Sequence, residues 1–149
     1  MKALIQRVGS ASVSVDDKNI GTIANGLLIF IGVYCDDSID DIYKISNKIV
    51  NLRIFNDSHG KMNYSILDIK GEILLISQFT LCADTKRGNR PSFKDAMNPK
   101  QAINLFNFLK DELSGLVNVK IGKFGEKMDI SLVNEGPVTI MLDTKNENK

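Results

Sequence analysis

The sequence predicts an α+β domain in which a mostly antiparallel, barrel-like β-sheet carries two main helices. Three observations lead there. Short apolar bursts crowd both ends of the chain, two segments between them switch to helical spacing, and the connections are of hairpin length. With 149 residues, 43% hydrophobic and 25% charged, the chain suits one domain able to bury a real core. No linker or repeat divides it. The expected domain spans residues 1–142, and residues 143–149, "DTKNENK", read as a polar tail without order.

The opening third gives "KALIQRV", "ASVSV" and "GLLIFIGVY", separated by Gly, Asp and Asn, which predicts three strands of an antiparallel meander. From Ser38 the period changes: Ile39, Ile42, Ile45, Ile49 and Leu52 fall three or four apart, and Ser38 with Asp41 forms an amino-terminal cap. Turn residues fill "RIFNDSHGKMN", after which "GEILLISQFTLCAD" is the longest strand signal and is expected to run through the core. Residues 98–113 return to helical spacing through Ala102, Phe106, Leu109 and Leu113. Pro99 stands at the first helical position and Gly115 at the stop. "LVNVKIG", "KMDISLV" and "PVTIML" complete a β-rich end. Parallel βαβ winding is not expected.

A net charge of +1 excludes a strongly basic nucleic-acid coat, so any contact with RNA has to rest on a local patch. The two cysteines, Cys35 and Cys82, make no disulfide framework, and "MKALIQRV" has no apolar leader, so a reducing cytoplasm is expected. The longest apolar run, Gly26 to Tyr34, is too short to cross a bilayer as a helix.

Familiar catalytic machinery is missing. The one histidine, His59, sits in the turn "NDSHGK" and reads as a solvated loop residue, and a lone histidine with two distant cysteines makes no metal site. No G-x-S-x-G elbow, P-loop or dinucleotide fingerprint appears. What stands out is "SQFTL", Ser77 to Leu81, a polar interruption of an apolar strand. As an extended strand it would point Gln78 and Thr80 to one face with Ile76, and Ser77 and Phe79 to the other. Read alone, the stretch is an ordinary strand, with Thr80 there for its strand propensity and Gln78 bonded to a neighbouring loop. "KRGNRPSF" gathers Lys86, Arg87 and Arg90 around a glycine, either as a solvated loop or as a phosphate-facing one. Arg7, between apolar neighbours, suits a partner-pinned arginine. Pro137, preceded by Gly136, interrupts the last strand signal, so it marks a sheet-edge bulge, a strand start or a main-chain recognition feature.

Taken together, "QRV" at 6–8, "RIF" at 53–55, "GKMN" at 60–63, "SQFTL" at 77–81, "RPSF" at 90–93 and "SLVNEGPVT" at 131–139 resemble the D-aminoacyl-tRNA deacylase family. The resemblance spans residues 1 to about 142. It implies a homodimeric, barrel-like α+β enzyme that hydrolyses the ester between a D-amino acid, or glycine, and the 3′ end of tRNA, with no cofactor. It further implies a cis Gly136-Pro137 peptide that projects into the partner subunit's pocket and excludes L-amino acids. Gln78, Phe79 and Thr80 become the catalytic turn, their amides holding the ester carbonyl oxygen while Gln78 orients the ester or water. A rival assignment makes the Thr80 hydroxyl a covalent nucleophile. Ser77, Gly136, Pro137, Arg7 and Met128 become substrate-binding: Arg7 braces the Gly-Pro loop and Met128 lies near the terminal adenosine. Lys86, Arg87 and Arg90 are the candidate tRNA contacts. Two other classes compete, a non-catalytic β-barrel module that binds RNA ends and a small-molecule esterase indifferent to tRNA.

Overall fold

The first strand, of fourteen residues, organises the molecule, because among the described strands it alone pairs with three others. In the computed structural model, which describes residues 1–145, β1 (Lys2–Val15) is continuous where the sequence suggested two strands. On one side it pairs antiparallel with β2 (Lys18–Ile23) along Ala11–Val15, and with β3 (Gly26–Gly32) along Lys2–Val8. On its other side runs one strand, β8 (Asp129–Asp143), which joins the expected "KMDISLV" and "PVTIML". The exposed Gly9 and Ser10 mark the place where β1 exchanges β3 for β2.

The remaining strands correct the expected winding. β3 pairs in parallel with β6 (Glu72–Ser77), and β6 in parallel with β7 (Asn118–Ile121). The crossovers contain α1 (Ile39–Asn51) and α2 (Pro99–Ser114), long enough to return the chain to the same sheet edge. The antiparallel ladders of β1 and of the small hairpin β4 (Phe55–Asn56) with β5 (Met62–Tyr64) keep the sheets mostly antiparallel. β2 curls toward β6 and β7, so the sheet nearly closes: a methyl group on Gly21 would stand 3.5 Å from the Ile121 carbonyl and 3.6 Å from Leu74.

Closure gives the sheet two apolar faces. Ile5, Leu27, Ile29, Ile73 and Leu75 pack outward under Ile42, Ile45 and Ile49 of α1 and Phe106, Leu109 and Leu113 of α2. The alternate residues Leu28, Leu74 and Ile76 turn inward with Val8, Ala11, Val13 and Ile23. This is why "LLIFI" and "ILLI" are unbroken apolar runs. Both helix caps form as their residues suggest. The Asp41 carboxylate accepts from the Ser38 amide (2.9 Å), and the Asn98 side chain accepts from the Lys100 amide (3.0 Å).

The chain ends meet. The Met1 ammonium is buried and donates to Asp37 (2.6 Å) and to the Thr144 hydroxyl (2.7 Å), which in turn donates to Asp41 (2.6 Å). Asp143 closes β8 against Lys2. Residues 143–145, assigned above to an unordered tail, are thus held, Thr144 by a buried ammonium that needs its oxygen; residues 146–149 lie outside the described part. No described helix is long and apolar enough to cross a membrane.

Candidate active site

Where β6 ends, the chain turns away from the sheet and roofs a cleft of about 610 Å³ between β6, the start of α2 and residues 124–130. Its walls are largely apolar, with Ile31, Ile76, Phe106 and Phe124 among them, and Ser77, Gln78, Phe79 and Met128 reach its lining. A volume of this order suits a small-molecule moiety.

The "SQFTL" stretch is not a continuing strand. The Gln78 amide still donates across the sheet to the Ile31 carbonyl (2.7 Å), but Phe79–Cys82 then form a 3-10 turn. The turn lies tight on β3 because Gly32 has no side chain: a methyl there would meet Leu81 Cβ at 2.8 Å and Cys82 Sγ at 3.1 Å. Turn formation replaces the face-by-face display expected of Gln78 and Thr80. Their side chains meet instead, the Gln78 amide group donating to the Thr80 hydroxyl oxygen at 2.5 Å. The turn's internal bonds begin with the Leu81 amide donating to the Gln78 carbonyl. Among the described residues, the amides of Phe79 and Thr80 therefore have no main-chain acceptor. Two exposed residues thus offer adjacent N–H donors next to the cleft.

Ionisable groups are scarce here. Glu126 is the one carboxylate in the lining, and it pairs with Lys123 at 3.4 Å. His59 is exposed in the β4–β5 turn beside Ser58. Burial pushes the Cys82 thiol up to about 11, so it stays protonated and unreactive at neutral pH.

A second group of predicted residues assembles elsewhere. β8 has β1 as its one strand neighbour among the described residues and is a sheet edge. Its register breaks at the Gly-Pro pair. Gln6 faces Thr139 and Val8 faces Asn134, so residues 135–138 stand opposite Arg7 alone. Gly136 and Pro137 are exposed, the bond between them is cis, and Gly136 has φ +120°. Arg7 is 4% exposed and holds this bulge from beneath. Its guanidinium donates to the carbonyls of Glu135 (3.3 Å) and Ile54 (2.6 Å) and to the Asn56 side chain (3.3 Å). From Ile130 in the cleft wall to Gly136 is six residues of strand, about 20 Å. The Gly-Pro pair does not line the cleft of its own chain.

Lys86, Arg87 and Arg90 occupy an exposed loop closed by the Asp84–Ser92 bridge. Phe93 anchors the loop to the cleft mouth, packing edge-on against Phe79 with ring centres 5.0 Å apart. The sequence reading missed Asn134 and Gly122, and took Phe93 only as the end of the basic loop. Asn134 and Phe93 lie inside quoted motifs. Gly122 gave no local sign, although a methyl there would stand 2.5 Å from Met128 Sδ.

Sheet, cleft and turn define a class: a small α+β domain whose nearly closed sheet carries a largely apolar cleft beside two amides that have no main-chain acceptor among the described residues. The family model described as D-Tyr-tRNA(Tyr) deacylase matches residues 4–143. A solved structure described as "c-Myc DNA Unwinding Element Binding Protein" superposes with a TM-score of 0.93 at 38% identity, over 97% of this chain and 99% of the other. Another, described as "Structural Analysis of a probable eukaryotic D-amino acid tRNA deacylase", is similar in fold, with a TM-score of 0.82 at 15% identity over 95% and 97% of the two chains. The chain belongs to the D-Tyr-tRNA(Tyr) deacylase family. Its activity is that of a hydrolase acting on D-aminoacyl-tRNA esters.

Proposed function

We propose that the enzyme works as a cytoplasmic homodimer that clears D-amino acids, and glycine, from the 3′ end of tRNA, and that Gly136-Pro137 of one copy enters the cleft of the other to reject L-esters. The observation that carries this reading is the separation of the two groups. A braced, exposed stretch of main chain sits on a free sheet edge, remote from the cleft of its own chain. A second copy laid along β8 brings the two together and covers the unpaired edge, where Leu132, Val133 and Met141 are exposed. Both cysteines are free, which suits a reducing compartment.

The chemistry follows from what the cleft contains. Water attacks the ester carbonyl carbon, and the amides of Phe79 and Thr80 receive the charge that develops on its oxygen. The C–O bond to the terminal ribose then breaks, the ribose oxygen takes a proton, and the free amino acid and tRNA leave. Gln78 orients the ester or the water, Ser77 and Met128 hold the terminal nucleoside, and the vicinal ribose hydroxyl assists. An ester next to such a hydroxyl is already reactive, so positioning suffices without a strong base. A Thr80 nucleophile is disfavoured because its hydroxyl already accepts from Gln78 and has no base beside it. The Gly-Pro main chain reads handedness at the α-carbon: an L side chain is driven into backbone, a D side chain points outward, and glycine has nothing to clash. Lys86, Arg87 and Arg90, exposed in the loop that Phe93 joins to the cleft, would meet the phosphates of the tRNA end.

Hydrolysis of both enantiomers of one aminoacyl-tRNA tests this. Release of the D-amino acid with the L-ester left intact is expected. Protection of both esters without hydrolysis would support a nucleic-acid-binding module, and equal cleavage of D-aminoacyl-adenosine and full tRNA ester would support a small-molecule esterase.

A further inference from the structure

We propose that Asn134 is a positioning residue for chiral discrimination: its carboxamide fixes where the Gly136-Pro137 main chain stands, an inference that rests on the reading of that main chain as the L-excluding wall. A register bulge deprives its residues of ladder partners, and their polar groups must be satisfied in another way. Asn134 does this from the foot of the bulge. Its Oδ1 accepts from the Val138 amide (3.0 Å), while its Nδ2 donates to the Val138 carbonyl (3.3 Å) and to the Thr139 hydroxyl (3.1 Å). One side chain thus gives Val138 the two-way exchange that a neighbouring strand normally supplies. The Thr139 hydroxyl also accepts from Gln6 (3.3 Å), which ties the closure to β1.

The two feet of the bulge are therefore held by different residues. Arg7 takes the Glu135 carbonyl on one side and Asn134 takes Val138 on the other. Between these feet, Gly136 has no side chain and Pro137 no amide hydrogen, so neither ties itself to the surrounding structure. The position of the tip is set by its feet, and a wall that distinguishes mirror images has to be placed within a fraction of an ångström. Releasing Val138 would let the tip retreat and admit the L side chain, without touching the turn that performs hydrolysis.

The test compares kcat/KM on D- and L-aminoacyl-tRNA for the full chain and for Asn134→Ala, Asn134→Asp and Gly136→Ala. Asn134→Ala is expected to lower the D-over-L ratio at least tenfold, mainly through faster cleavage of the L-ester. Asn134→Asp, which keeps the acceptor for the Val138 amide but loses both donors, is expected to fall between Ala and wild type, and it decides the matter if the alanine variant does not fold. An unchanged ratio in the Asn134 variants, or loss of both turnovers in the same proportion, overturns the proposal. If Gly136→Ala changes the ratio and Asn134 does not, the positioning role alone fails. If neither does, the Gly-Pro wall fails with it.

Discussion

Arg7 leaves no room for a side chain on Gly136 in the register bulge: a methyl group there would lie 3.0 Å from an Arg7 guanidinium nitrogen and 2.9 Å from Val138. The buried cation thereby supports exposed main chain and joins it to the β4–β5 hairpin through Ile54 and Asn56. Lysine keeps the charge but not the planar fork, so the carbonyls of Glu135 and Ile54 could not both be satisfied. Arg7→Lys should therefore cost about 2–3 kcal/mol of stability, read from denaturant unfolding, and lower the D-over-L ratio.

Gly122 plays a comparable part at the cleft. A methyl there would stand 2.5 Å from Met128 Sδ and 2.9 Å from the buried Ile76 Cδ1, so Met128 has to move out of its place in the lining. Gly122→Ala should destabilise the fold by about 1–3 kcal/mol and raise KM for D-aminoacyl-tRNA, with kcat little altered.

Thr80→Ala separates the two chemical schemes. With amide donors and water as the working parts, activity should remain within about tenfold of wild type. A covalent Thr80 mechanism would lose more than about a thousandfold.

Asp41 links the helix cap to the chain ends. Its desolvation pushes the carboxyl up, but hydrogen bonds from Thr144 and the Ser38 amide, with the nearby Met1 ammonium, leave its pKa below the ordinary 3.8. A depressed carboxyl stabilises the fold above its unfolded value, and that contribution disappears as pH falls through the folded value. Asp41→Asn should cost about 1 kcal/mol at neutral pH. In unfolding curves taken at successive pH values, the difference from wild type should shrink once the pH drops below 3.8.

Much of this was readable in the residues. The helices follow from the spacing of Ile42, Ile45 and Ile49 and of Ala102, Phe106 and Leu109, and the Gly-Pro interruption correctly pointed to a sheet edge. The parallel pairing of β3 with β6 was misread because an apolar run signals burial on both faces without stating strand direction. β2 was missed because "KNIGTI" has only Ile20 and Ile23 as apolar residues. The 3-10 turn at Phe79 is invisible to local propensity, since it depends on the space left by Gly32 on another strand. The Gln78–Thr80 contact follows from that turn and was hidden for the same reason.

The central claim is that the wall in one copy's cleft comes from the other copy. It is tested most directly by mixing two variants: Gly136→Ala, with an open cleft and a displaced wall, and an excess of a variant of Ala96, a residue of the cleft lining, Ala96→Trp, with a filled cleft and an intact wall. After subunit exchange, the account predicts that the mixture regains D-selective hydrolysis that neither variant has alone. A D-over-L ratio that stays at the value of the Gly136→Ala protein would contradict it.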